Sequence, residues 1–283
     1  MVGKAMRATP AFPLKANLKS AHLSYPWPAG LRLPAQEVEV CEGCTIRLHP
    51  HVGEFDFEAL FSRKLSYERD VFSELRKRIA DYDAIVEIGA NVGVYTLFFA
   101  NERRSENVPV FCFEPSTEAR RRLELNLGTR HRNVHVIPAA VYDVPGLQML
   151  YEPKGHLTNG SLNQDFAQIF SADIAKTIVP TVDGSSIANL LAPNSKILIK
   201  IDVEGAEEQV LRSLEALLRA HNPDLVLEVL EISAATLNEI PGLLERFDCF
   251  LITAKGLQKK ATLVADPANR DYLLIARSTS GPA

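Results

Sequence analysis

The segment from Ile85 to Ala100 reads IVEIGANVGVYTLFFA, an apolar run, a loop holding Gly89, Asn91 and Gly93, and a second apolar run. Glycines at such a junction let the backbone turn sharply and approach a ligand, and a helix beginning near Val94 would offer free N–H groups and the positive end of its dipole. A second apolar run, VPVFCFE, ends at Glu114, 25 residues after Gly89. A carboxylate there can accept hydrogen bonds from both hydroxyls of a ribose, so the two features together point to an adenosine-containing cofactor. The structural alternative is that Gly89 and Gly93 only close a tight turn while Glu114 caps the helix after Pro115.

The loop also discriminates among adenosine cofactors. Dinucleotide loops follow G-x-G-x-x-G, and their middle glycine lets backbone approach a pyrophosphate. Here Asn91 stands in the loop G-A-N-V-G, which argues against a dinucleotide. Glu87 places a carboxylate where an amino group could be held. S-adenosylmethionine, with an amino group, a carboxylate and a sulfonium but no phosphate, is the cofactor expected. Asp202 follows the run ILIKI and precedes Gly205, which makes it the leading candidate for a site carboxylate. Glu204 is the next candidate, although it and Glu207 could instead favour a helix N-terminus. His156 and Asn159, in the polar stretch KGHLTNGSL, sit where a lid could form, and a histidine there could titrate usefully. Asp143, after the third strand, is placed near the adenine. The expected cofactor-binding set is therefore Glu87, Gly89, Asn91, Gly93, Glu114, Asp143 and Asp202, and the expected catalytic set Asp202, Glu204 and His156. No metal is assigned. Asp202, Glu228 and Glu231 could bind Mg²⁺, and Cys41, Cys44, His49 and His51 invite a zinc reading, but the histidine spacing is wrong for a finger and a hairpin with its cysteines flanking the turn is preferred.

These residues must be positioned by alternating elements. From Ala84 onward strand-like and helix-like runs alternate (AIVEIG, VYTLFFANE, VPVFCFE, STEARRRLELNLG, NVHVIPAAV, KILIKID, AEEQVLRSLEALLRAH, DLVLEVLE, TLNEIPGLLERF, CFLITAK, YLLIARS). That pattern implies a parallel sheet covered by helices, with about seven strands. Before it, Val38 to His49 reads as a hairpin around Glu42-Gly43, and Tyr67 to Tyr82 as an amphipathic helix. The chain divides into residues 1–82, an arm, hairpin and helix able to cover an acceptor site; 83–278, the cofactor-binding domain; and a tail at 279–283.

The motifs EIGANVGVYT, FEPSTEARRRLELNL, VHVIPAAVYD, GSL at Gly160 to Leu162, KIDVEGAEEQVL and LVLEVLE together resemble the FkbM-type methyltransferases, in that family's order and over about residues 84–231. The resemblance implies an α/β, Rossmann-like class I fold with seven strands, the last antiparallel between the fifth and sixth. It also implies methyl transfer from S-adenosylmethionine, most often to a hydroxyl of a sugar, polyketide or other small metabolite. An N-methyltransferase acting on a small amine, or a non-catalytic cofactor-binding protein of the same fold, are the competing readings. Glu87 replaces the motif's usual aspartate with the charge kept, and residues 1–66 match nothing in the family.

Composition limits the partners. The 283 residues carry 31 Lys plus Arg against 35 Asp plus Glu, a net charge of −4 that provides no global drive toward nucleic acid or anionic membrane. Lys4, Arg7, Lys15, Lys19 and Arg32 precede the first acid, Glu37, so the body is acidic and its leader basic. Charged residues interrupt every apolar run, which excludes a membrane helix, and prolines in the first 34 residues break any targeting helix. Four cysteines, two of them inside strand-like runs, suggest reduced thiols. A cytoplasmic enzyme with a small-molecule hydroxyl acceptor is expected, its oligomeric state left open.

Overall fold

A computed structural model describes residues 33–51, 54–102 and 108–277. The basic arm before residue 33, read above as irregular chain packed on the body, and the tail at 279–283 lie outside the described residues. Strands β1 (Gln36–Cys41) and β2 (Cys44–Leu48) form the expected hairpin, and α1 (Arg69–Arg78) follows. Cys41 and Cys44 are Cα partners across its turn and are free thiols. The two histidines go elsewhere, His49 Nδ1 to the Leu33 carbonyl at 3.0 Å and His51 Nδ1 to Asp56 at 2.6 Å.

The main domain runs β3 (Ala84–Ile88), α2 (Val94–Asn101), β4 (Val110–Phe113), α3 (Thr117–Leu127) and β5 (Val134–Ile137). An inserted unit follows: β6 (Ala140–Val141), β7 (Gly146–Pro153), α4 (Gln164–Phe170), β8 (Ile174–Val182) and α5 (Gly184–Ala188). Then come β9 (Ile197–Ile201), α6 (Glu207–Ser213), α7 (Glu215–His221), β10 (Asp224–Glu228), α8 (Glu231–Asn238) and α9 (Leu243–Arg246). The last strands are β11 (Phe247–Thr253), β12 (Gly256–Lys260) and β13 (Asp271–Ala276).

The principal sheet has the order β12-β11-β13-β10-β9-β3-β4-β5. The run from β10 through β9, β3 and β4 to β5 is parallel, and β13 is antiparallel to both β10 and β11. The fold is thus the Rossmann-like class I methyltransferase arrangement. Its seven strands gain an eighth at the edge, β12, whose short GLQKK run presents Lys259 and Lys260 and lacks the apolar signal of the others. A second difference lies between β5 and β9. The run NVHVIPAAV, read above as one strand, splits into β5 and β6, and β6 joins β8 and β7 in a separate three-stranded sheet. Pro138, which has no N–H to give a ladder, falls at the split.

Strands β3, β9 and β10 are buried at every position, because helices cover both faces of a parallel sheet. Ile85, Leu198, Val226 and Leu273 face one core and Val86, Ile199, Leu225, Leu227 and Leu274 the other. Helix α2 is apolar all round and buried from Val94 through Ala100, which requires cover on its outer side. The hairpin supplies it: Val38, Val40, Ile46 and Leu48 share one core with Leu97, Phe98 and Phe99.

Candidate active site

The carboxyl ends of the parallel strands open onto a cavity of about 790 Å³. At its centre, Gly89 has φ +87° and stands so close to β9 that an added Cβ would lie 1.8 Å from the Asp202 carbonyl oxygen. No other residue fits. The amides of Gly89 and Ala90 both donate to the Phe113 carbonyl at 3.0 Å, and the Asp202 amide to that of Ile88 at 3.0 Å, so the ends of β3, β4 and β9 are bolted together. Asn91 takes a left-handed conformation, φ 52°, which asparagine tolerates better than most residues. Gly93, φ +87°, is the residue before α2.

Glu114, 6% exposed, lines the same cavity. Its Oε2 accepts from the Asn91 amide and its Oε1 from the Ser116 amide, each at 2.7 Å. The helix itself is capped by Ser116, whose Oγ accepts from the Ala119 amide at 3.3 Å. Glu114 is therefore not the cap; it is a carboxylate aligned by two backbone donors with lone pairs to spare. Burial pushes its pKa up to about 7, against the lowering effect of those two amides. Asn91 Nδ2 donates to the Thr158 carbonyl at 3.0 Å, while Asn91 Oδ1 is buried without a partner, an acceptor waiting for an N–H or O–H. Glu87 also lines the cavity, but it is 1% exposed and accepts from Thr96 Oγ1 at 2.6 Å. Burial pushes it up to about 8, so near neutral pH it is largely a neutral acid.

The other half of the rim is acidic. Asp202 Oδ2 accepts from Lys200 Nζ at 2.7 Å, and that ammonium lies 4.2 Å from the centre of the Tyr95 ring. Burial pulls the Lys200 pKa down, but the carboxylates of Asp202, Glu68 and Asp271 outweigh it and hold the lysine charged above its ordinary value. Glu204 lines the cavity in a left-handed turn, φ 56°; burial first, then Asp202 and Glu207, push its pKa well up. Glu228 and Asp271, 8% and 7% exposed, face each other as Cα partners across β10 and β13. Burial, then Asp202, Glu204, Asp271 and Glu68, push Glu228 up to about 11. Glu68 accepts from Tyr95 Oη at 2.5 Å. Among the described residues no group of three or more His, Cys, Asp or Glu side chains is arranged to hold a metal ion.

Seven of the nine residues singled out in the sequence converge on this cavity: Glu87, Gly89, Asn91, Glu114, Asp202 and Glu204 line it, and Gly93 closes the loop. Two do not. His156 is exposed, with its ring 5.8 Å from that of Phe170, outside the cavity wall. The physical reason is that Pro153 to His156 turns away before the chain returns, so Thr158 to Leu162 form the wall instead. Asp143 is exposed at the turn into β7 and is likewise absent from the lining. Glu207 is structural, its Oε1 accepting from the Gly205 amide at 2.9 Å. The GSL motif acts here too, since Ser161 Oγ donates to the Glu204 carbonyl at 2.6 Å and fixes that turn. Glu68, Lys200, Arg270 and Asp271 had no place in the expected site. Lys200 did leave a signal, a lone charge inside a wholly apolar strand.

The N-terminal segment contributes Phe55 and Ser66 to Val71 to the wall. Glu54 Oε1 accepts from the Leu157 amide and Oε2 from Thr158 Oγ1, both at 3.1 Å, tying that segment to the one that bonds Asn91. No helix among the described residues is long and apolar enough to cross a membrane.

Known proteins similar to the chain indicate its family. Over 179 residues the chain is 27% identical to the AMB antimetabolite synthetase AmbE of Pseudomonas aeruginosa, a match covering 52% of this chain and 8% of that protein. The chain thus spans a small part of that relative's length. The solved methyltransferase FkbM of Methylobacillus flagellatus superimposes with a TM-score of 0.43 at 13% identity, covering 69% of this chain and 44% of the other. For the precorrin-6y C5,15-methyltransferase of Geobacter metallireducens the values are 0.40 and 14%, over 76% of this chain and 92% of the other. The family model of the methyltransferase FkbM domain matches residues 87–249, from the acid before the glycine loop into β11, and the chain belongs to that family of methyltransferases.

Proposed function

We propose that the protein transfers a methyl group from S-adenosylmethionine to a hydroxyl of a small metabolite. The observation that carries this reading is Glu114, a buried carboxylate held by two backbone amides at the end of the second strand, beside a loop that only glycine can form. The donor set suits that cofactor: Glu114 has free lone pairs for two adjacent ribose hydroxyls, and Asn91 Oδ1 is an unpartnered acceptor beside it. The cavity, about 790 Å³, is large enough for a nucleoside-sized ligand and a small acceptor together. Its many carboxylates disfavour a polyanion such as RNA or DNA.

S-adenosylmethionine, when bound, supplies a methyl group on a positively charged sulfur. The chain's residues then have three tasks, to seat the ligands, to exclude water and to receive one proton. The acceptor hydroxyl would become strongly acidic on gaining the methyl group that the sulfur releases, so a residue of the chain would have to receive its proton. A carboxylate at the rim can take the hydroxyl proton, and Asp202, which accepts a hydrogen bond from Lys200 Nζ, is the residue assigned that role. Burial and the neighbouring acids favour the protonated form of Glu204, which would donate a hydrogen bond to the acceptor.

Calorimetric titration with S-adenosylhomocysteine tests the reading directly. Binding near one ligand per chain is expected, and a folded, ligand-free protein that does not bind it would sink the proposal.

A further inference from the structure

The cofactor half of the cavity and its acidic half are separated by strand order. Gly89 and Glu114 stand at the ends of β3 and β4, whereas β9, β10 and β13 succeed one another on the far side of β3. With neighbouring strands about 4.8 Å apart, Glu228 lies roughly two strands and Asp271 roughly three from the glycine loop. Those two acids are beyond the cofactor's own contacts, over the region left for the acceptor.

Their pairing is unfavourable without a cation. Two acids directly opposite on neighbouring antiparallel strands cannot both carry charge without destabilising a sheet, and Glu228 and Asp271 are such a pair, both buried. Burial and the acids around it hold Glu228 protonated in the ligand-free protein, and a bound ammonium would let both ionise. The cations near the pair among the described residues do not resolve it. Lys200 donates to Asp202, Arg69 is bound to the Glu39 carboxylate at 2.9 Å, and Arg270 reaches only within 3.7 Å of Glu228 Oε1 with its side chain half in solvent. Glu228 Oε2 is buried, lines the cavity with its residue and has no partner. A buried polar atom without a partner is costly enough to imply a ligand group that pairs with it.

We propose that this half of the cavity receives a protonated amine carried by the acceptor, with Glu228 and Asp271 as its anchor, so that the substrate is an amino alcohol or amino sugar methylated on oxygen. The inference rests on the methyl-transfer reading and sharpens it. An amine held as ammonium has no lone pair to offer the methyl group, so the anchor also directs the chemistry to the hydroxyl. Asp202 and Glu204, nearer the cofactor loop, are left to handle that hydroxyl.

The test uses full-length protein saturated with S-adenosylhomocysteine and matched trios of probes: glucosamine, N-acetylglucosamine and glucose, and tyramine, N-acetyltyramine and 4-hydroxyphenylethanol. Thermal unfolding is followed as each is titrated. The amine of a trio should stabilise the protein where its neutral partners do not, with half-saturation weakened about tenfold or more in Glu228→Gln and in Asp271→Asn. Both variants are checked for retained binding of S-adenosylhomocysteine, which reports folding independently. Neutral members that bind as well as the amines, or no trio led by its amine, would overturn the inference. So would a methyl group found on nitrogen when amine acceptors are turned over and the product is mapped by mass spectrometry. Failure to bind S-adenosylhomocysteine at all would instead strike the methyl-transfer reading.

Discussion

At the ends of β3 and β4 Glu114 is held on both oxygens by backbone amides, and the loop beside it is locked by bonds to Phe113. At the ends of β9, β10 and β13 four carboxylates crowd one another, with Lys200 the buried cation among them, and Glu228 keeps an oxygen unpaired. The first region is fixed by backbone bonds before any ligand arrives, with Asn91 Oδ1 left open. The second, among the described residues, is left short of positive charge. Backbone-held groups cost no reorganisation when a ligand docks, which suits a part every molecule in the reaction shares. Unbalanced side chains make a surface that discriminates by charge, because a ligand lacking the charge leaves them unpaired.

The contrast can be broken most severely at its hinge. Gly89→Ala forces a Cβ against the Asp202 carbonyl in a conformation with φ +87°; strain and overpacking together should cost about 3 kcal/mol or more. Thermal unfolding of the variant, followed by titration with S-adenosylhomocysteine, would show both a lowered Tm and lost binding. Normal values for either would mean the three strand ends are not locked as described. Next in size, Glu114→Ala should weaken S-adenosylhomocysteine by about 1.5 to 3 kcal/mol, since it removes charge-assisted bonds. Unchanged affinity by calorimetry would refute the ribose role.

A pH series probes the neutral-acid side of the comparison. Burial raises the folded pKa values of Glu114, Glu87 and Glu228 to about 7, 8 and 11 from the ordinary glutamate value of 4.5. The folded state therefore holds protons the unfolded state has released, and stability present below the unfolded values is lost as pH rises through the folded ones. Each such proton contributes a slope of about 1.4 kcal/mol per pH unit. Denaturant melts of ligand-free protein between pH 5.5 and 8 should show falling stability, and Glu87→Gln should remove about one proton's worth of that slope; a variant with the wild-type slope would show that Glu87 ionises normally. Ser116→Ala should cost about 1 kcal/mol through loss of the α3 cap. His156→Ala should change neither stability nor cofactor affinity beyond about 0.5 kcal/mol, and a large loss of turnover in that variant would return the histidine to the site.

Much of the cofactor half was legible because its signals are local. The strand, loop and helix from Ile85 to Ala100 are contiguous, and Glu114 ends the next strand, so the parallel sheet brings them together by topology alone. Asp202 and Glu204 were legible for the same reason. The acidic half was harder to read because its members meet only through long-range packing. Asp271 begins a strand, and only because β13 runs antiparallel does its start lie on the rim where its neighbours end. Glu68 comes from the segment before α1, which carries no motif of the family. His156 misled because a polar, glycine-containing stretch fixes only that a loop exists, not which residue of it faces inward. The three-stranded unit was missed because β7 and β8 lie largely outside the main sheet and keep exposed apolar residues, Leu147 and Ile178, that give no clean alternation.

One chain of contacts joins the N-terminal segment to the glycine loop. Glu54 holds Thr158, Thr158 holds Asn91, and Asn91 holds Glu114. If a ligand that shifts the Thr158 wall changes the affinity of the loop for its own occupant, that occupant must change the affinity of the wall for its ligand by the same factor. The coupling is then one constant, read from either side and the same whichever ligand arrives first.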